Sequence, residues 1–210
     1  MKIMTILIQL LSAVLFSFSG CSSSERNNAI DVDLIKDSTK ILIVYLSRTS
    51  NTRVLAEIIQ NNVGGTLVEL ELERPYPDDY RTTVAQVAKE NETGYLPALK
   101  TKINNLQSFD IVFIGFPTWG MKLPPPMKSF LSSNDLSGKT VVPFNTNGGY
   151  GPGSTFETVA SLCGNSNVLD GFTTKGGEEI KGVKLAIKDT RKKEVEQGVN
   201  QWLQKIGLLP

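Results

Sequence analysis

The chain has 210 residues, 40% hydrophobic and 20% charged, with 22 basic and 21 acidic side chains and no histidine. That composition is globular rather than disordered and suits one ordinary domain with extra segments. A net charge of +1 excludes a strongly basic nucleic-acid binder, and the missing histidine excludes Ser-His or Cys-His catalysis and a histidine-ligated metal.

Residues 1–20 read as a secretory signal: Lys2, an apolar run from Ile3 to Phe18, then the small residues Ser19 and Gly20. Small residues directly before Cys21 resemble a bacterial lipoprotein signal, with Phe18 standing where Leu is usual. The resemblance implies that Cys21 becomes the lipid-carrying N-terminus of an exported protein, anchored to a membrane outside the cytoplasm. An uncleaved anchor is the alternative, but a spanning helix needs about 20 apolar residues and this run is shorter. Lys2 lies in the segment that would be lost, which leaves a neutral chain. Residues 21–39 are polar and charge-mixed, a tether. With Cys21 acylated, Cys163 is the only free thiol; set in "ETVASLCGN", it reads as a small packed residue rather than a redox group.

The domain starts at Lys40. "KILIVYLS" (40–47) is a continuous apolar run, as in a strand buried on both faces. Val54, Leu55, Ile58 and Ile59 then recur at helical spacing over 52–63, and "TLVELEL" (66–72) alternates like an outer strand. Helices are expected over 79–92 and 99–106. "DIVFIGFP" (110–117) is a second buried strand, "PPPMKSFLSS" (124–133) a helix opened by prolines, and "KTVVPFNTN" (139–147) a third buried strand. A helix over 153–163, a last strand over 167–176 and a terminal helix complete the series. In that last helix Val195, Val199, Trp202, Leu203 and Ile206 share one face. Strands alternating with helices, the central strands solidly apolar, imply an α/β doubly wound parallel sheet.

In such sheets ligands bind beyond the carboxyl ends of the strands. Three loops leave those ends here. "SRTSNT" carries a short hydroxyl or amide on five of its six residues and opens a helix. It lacks the Lys of a P-loop and the GxGxxG of a dinucleotide fingerprint. It is therefore either a phosphomonoester cradle built from neutral donors or a plain helix-capping run. "PTWGMKLPPP" offers Trp119, either to stack on a flat ring or to pack, with Gly120 beside it as a free backbone hinge. "NTNGGYGPGS" is either a close-approach loop or a flexible turn, and Tyr150 in it covers a second ring face or none.

"LSRTSNT", "GFPTWG" and "NTNGGYGPGS", in this order, resemble the flavodoxins, especially the group whose phosphate loop reads like SRTGNT. The resemblance covers 40–208. It implies the flavodoxin-like doubly wound fold, a five-stranded parallel sheet of order 2-1-3-4-5, and noncovalent FMN. By that match Ser47, Arg48, Thr49, Ser50, Asn51 and Thr52 surround the phosphate, with Ser50 where Gly is frequent. Pro117, Thr118, Trp119 and Gly120 line the isoalloxazine, and Asn145, Thr146, Gly148, Gly149 and Tyr150 form its other flank. Arg48 either pairs with the phosphate or points to solvent. Carrier flavodoxins are strongly acidic and this chain is neutral, so their very low potential does not carry over.

The implied activity is membrane-tethered electron transfer through FMN, with a redox protein or a quinone-like acceptor as partner. It requires no acid–base residue, and a backbone carbonyl near Gly120 would accept a hydrogen bond from flavin N5–H once reduced, favouring one-electron transfer. A second reading is an FMN-dependent NAD(P)H:quinone-type reductase, which needs room above the ring. A third is a non-redox module for a phosphorylated ligand on the same fold.

Overall fold

The computed structural model describes residues 38–210. The signal segment, Cys21 and nearly all of the tether lie outside the described residues. Among the described residues there are six strands: β1 (Ile41–Tyr45), β2 (Thr66–Glu69), β3 (Ile111–Pro117), β4 (Thr140–Asn147), β5 (Asn167–Val168) and β6 (Phe172–Lys175). Five α-helices of the described residues connect or follow them: α1 (Asn51–Val63), α2 (Tyr80–Thr93), α3 (Pro125–Ser133), α4 (Thr155–Leu162) and α5 (Asp189–Lys205). All strand pairs are parallel, in the order β2-β1-β3-β4-β5, with β6 also on β4.

The continuous apolar runs follow from burial on both faces, because successive residues of a strand point to opposite sides. Ile41, Ile43, Tyr45, Phe113 and Phe144 pack with α1 and with Val195, Val199, Trp202 and Leu203 of α5. Leu42, Val44, Val112, Ile114, Phe116 and Val141 pack with Met127 and Phe130 of α3 and Val159 of α4.

Two expectations are corrected. The helix over 99–106 is absent. Leu99, Ile103 and Leu106 do reach the core, but the backbone of 99–101 is taken by the segment that follows β2. Leu72 and Leu99 bridge in antiparallel fashion, Lys100 and Thr101 donate their N–H groups to Glu71 O, and the Thr101 hydroxyl donates to Glu69 O. Only a 3-10 turn, Leu106–Ser108, follows. The last strand is also not one piece. After Leu169, whose N–H still donates to Val141 O, it leaves β4 at residues 170–171, where Trp202 Nε1 donates to Asp170 O at 2.9 Å and Gly171 passes within a Cβ's reach of the Phe156 ring.

Cys163 is buried, and burial pushes its thiol up to about 11. The native domain is therefore expected to resist iodoacetamide at pH 8 and to react at that thiol only after unfolding; mass spectrometry checks this, and rapid native alkylation would contradict it.

Candidate functional site

The β1, β3 and β4 ends border one cavity of about 660 Å³. In the β1–α1 loop, Ser50 has φ +64, a left-handed conformation that a residue with a Cβ rarely adopts. Ser50 itself forms no side-chain cap on α1; of this run, Ser47 caps a first-turn N–H, its Oγ accepting from Arg53 N at 3.3 Å. The first N–H groups of any helix lack an internal partner, and those of α1 begin beside Thr49 and Thr52, which line the cavity.

Asn51, only 2% exposed, works as a fastener. Its Nδ2 donates to Thr49 Oγ1 (2.9 Å) and Lys184 O (2.6 Å), while its Oδ1 accepts from Ala186 N (2.9 Å) and Ile187 N (3.1 Å). Thr52 and Thr146 share a hydroxyl–hydroxyl hydrogen bond of 2.8 Å that joins the first loop to β4.

Arg48 borders the cavity, yet its guanidinium is already engaged. Nε and Nη2 donate to both carboxylate oxygens of Glu179 at 2.9–3.2 Å, Nη1 to Pro77 O and Nη2 to Asp78 O. The side chain thus does not point freely to solvent, and Nε, Nη1 and Nη2 each already donate to protein oxygens. It ties three separated segments at the cavity's mouth. The partners are 18% and 13% exposed, so the pair is partly screened. Arg48→Ala is expected to cost about 2 kcal/mol and the shape-conserving Glu179→Gln about half of that. Urea unfolding distinguishes them, and an Arg48→Ala stability equal to wild type would show the tie to be ornamental.

In the second loop, Trp119 and Lys122 exchange N–H···O bonds of 3.2 and 3.1 Å. Gly120 (φ +57) and Met121 (φ +61) form the two-residue turn between them, with the positive φ values of type I′. Trp119 is half-buried, and its indole meets the Tyr76 ring edge-on, centroids 5.3 Å apart at 90°. In the third loop Asn147 is the organiser: its Oδ1 accepts from Gly149 N and Gly151 N.

Of the residues expected from sequence, Arg48, Thr49, Asn51 and Thr52 line the cavity, as do Pro117, Thr118, Trp119 and Gly120, and Thr146, Gly148 and Tyr150. Ser47, Ser50, Asn145 and Gly149 do not. Ser47 Oγ accepts from Arg53 N, and Asn145, fully buried, joins Phe116 O and Thr118 Oγ1 to Thr173. Tyr150 is 83% exposed and stands at the mouth.

Two walls were not expected. One is a face of α2, where Tyr80, Thr83, Val84, Val87, Ala88 and Asn91 line the cavity at helical spacing. The stripe is visible in "DYRTTVAQVAKENE", though Thr and Ala blur it. The other is the 176–181 segment. Gly177 there lies so close to the following chain that a Cβ would sit 2.0 Å from Lys184 O. Glu178, bonded to Lys175 and Lys181, has its carboxyl held down at about 2 by those two ammonium groups. The cavity therefore has an end rich in neutral donors and a flank of Trp119, Val84, Val87 and Ala88. This suits a flat ring with an anionic tail.

The flavodoxin family signature matches residues 40–189. No curated protein matches the chain. Among solved structures, a protein assigned as a flavoprotein from Bacteroides eggerthii is 30% identical with a TM-score of 0.64, covering 80% of this chain and 98% of that one. One similarly assigned from Bacteroides uniformis is 25% identical at TM-score 0.65, covering 80% and 99%. A flavoprotein from Lactobacillus acidophilus, solved in complex with FMN, shares the fold at 21% identity and TM-score 0.58, covering 69% of this chain and 98% of that one.

Proposed function

This chain belongs to the flavodoxin family, and we propose that it binds FMN noncovalently in the cavity and passes electrons through it. The observation that carries this reading is the meeting of the β1, β3 and β4 loops around one cavity, donors at one end and Trp119 on its flank. FMN supplies the redox chemistry when bound; the chain binds, orients and shields it. First-turn N–H groups of α1 with the Thr49 and Thr52 hydroxyls suit the phosphate. Trp119 offers the ring a face. The Gly120 peptide, in a turn where an added Cβ meets nothing within 4 Å, supplies backbone groups toward it.

Purified residues 26–210 are expected to be yellow, or to turn so with added FMN, and to release FMN on denaturation. A colourless protein that takes up none would overturn the reading and leave a non-redox module. The exposure of Tyr150 favours a second activity, NAD(P)H:quinone-type reduction, since that ring does not close the cavity. Steady NAD(P)H oxidation with a quinone present supports it, and none leaves the carrier role with a redox protein as partner.

We propose further that the protein is exported and held at a membrane by lipid on Cys21. The support is Lys2, the apolar run and Ser19-Gly20-Cys21. Fatty-acid labelling that Cys21→Ser abolishes would agree, and an intact Met1 on an unlabelled chain would refute it.

A further inference from the structure

Behind Trp119 stands a buried carboxylate with no cation beside it among the described residues. Glu90, on α2, is 6% exposed. Its Oε2 accepts from the Tyr76 hydroxyl at 2.5 Å and its Oε1 from Gln86 Nε2 at 2.8 Å. Burying an ionised group is costly, and an apolar pair of the same shape would serve packing better. What a charge-assisted hydrogen bond adds is direction. Burial and that bond to Glu90 push the Tyr76 phenol far above its ordinary range, so its proton stays in place.

Tyr76 is pinned at its backbone as well. It lies between Pro75 and Pro77, and the Pro77 carbonyl accepts from both Arg48 Nη1 and Thr83 Oγ1. Its ring then meets the Trp119 indole edge-on. Trp119 itself flanks the two-residue turn at Gly120–Met121, and its backbone bonds with Lys122 do not fix the plane of its indole.

We propose that Glu90 and Tyr76 are positioning residues: a brace running from α2 through the Tyr76 ring that fixes the plane Trp119 presents to the flavin. The inference rests on the FMN reading above for its consequence, and on the Glu90–Tyr76–Trp119 contacts for its geometry. Neither Glu90 nor Tyr76 is expected to touch the cofactor.

The test uses the full chain with Tyr76→Phe, which keeps the ring and removes the hydroxyl, and Glu90→Gln, which keeps an acceptor. Of the two tryptophans, Trp202 is 7% exposed, so acrylamide quenching of the apoprotein reports chiefly on Trp119. Tyr76→Phe is expected to raise quenching, to weaken FMN binding about fivefold for the loss of one hydrogen bond, and to shift the visible flavin bands. Glu90→Gln is expected to stay within twofold of wild type in affinity, with unshifted bands. Glu90→Met, similar in shape and without an acceptor, is expected to reproduce Tyr76→Phe, and decides the matter if the latter does not fold. Unchanged quenching in a folded Tyr76→Phe overturns the brace. Changed quenching with unchanged FMN affinity and spectrum overturns its role at the flavin. If wild type takes up no FMN, the functional reading falls while the quenching arm still judges the geometry.

Discussion

Asn51→Ala is expected to destabilise the domain by about 3 kcal/mol and to weaken FMN binding at least tenfold. The substitution deletes one partner of several backbone groups at once, and unmatched buried donors and acceptors cost about 1–3 kcal/mol each. Ala186 N and Ile187 N lose their acceptor and Lys184 O its donor. Lys184 is exposed, so water replaces part of that loss. Binding suffers because the same side chain holds Thr49 through Oγ1. Asn51→Asp separates the two effects. It keeps an acceptor for Ala186 and Ile187 but adds a negative charge at the end proposed for phosphate. Its stability should fall less than that of Asn51→Ala, and its FMN affinity at least as far. Urea unfolding and fluorescence titration of both variants check this; an Asn51→Ala stability within about 0.5 kcal/mol of wild type would refute the fastening role.

Gly115→Ala is expected to cost about 3 kcal/mol or more, for a single methyl group. Gly115 pairs in register with Phe144 of β4, and the Phe144 ring lies over the glycine. A Cβ there would meet Phe144 Cζ at 2.1 Å, which neither ring nor strand can relieve without moving. Overpacking of this kind typically costs about 1–3 kcal/mol, more where the surroundings are held on both sides. Here both residues are central in a two-faced sheet. Phe144→Leu leaves a cavity of its own but makes room, so the double variant should be more stable than the two single losses predict. Thermal or urea unfolding of the four-protein cycle measures that coupling; strict additivity would show that the clash is not the cause.

Legibility followed the range of the interaction. "KILIVYLS", "DIVFIGFP" and "KTVVPFNTN" declare two-faced burial residue by residue, and β1, β3 and β4 lie there. The segment 99–106 misled because Leu99, Ile103 and Leu106 have helical spacing, while Glu71, on a separate segment of chain, claims its backbone. The break between β5 and β6 depends on Trp202, which no local pattern connects to Asp170. At the site, loops at strand ends were visible from composition. The partner of Arg48 was not, since "GGEEIK" resembles any solvated turn. Asn147 shares one polar run with Asn145 and Thr146, and alternation along β4 turns Asn145 and Asn147 to the same side, both meeting Thr173, so local pattern does not single out Asn147 as the holder of the glycine loop.

The ties at the cavity's mouth carry a consequence for timing. Arg48 and Glu179 are 131 residues apart, and Asn51 reaches its partners across 133 to 136. Contacts so distant in sequence close late, after the loops between them have been ordered. A ribosome that has released β1, α1 and β3 has displayed the β1–α1 loop but not the segment that fastens it. On the FMN reading, cofactor capture is expected to follow translation, and a nascent or C-terminally truncated chain ending before Glu179 should emerge unable to retain flavin.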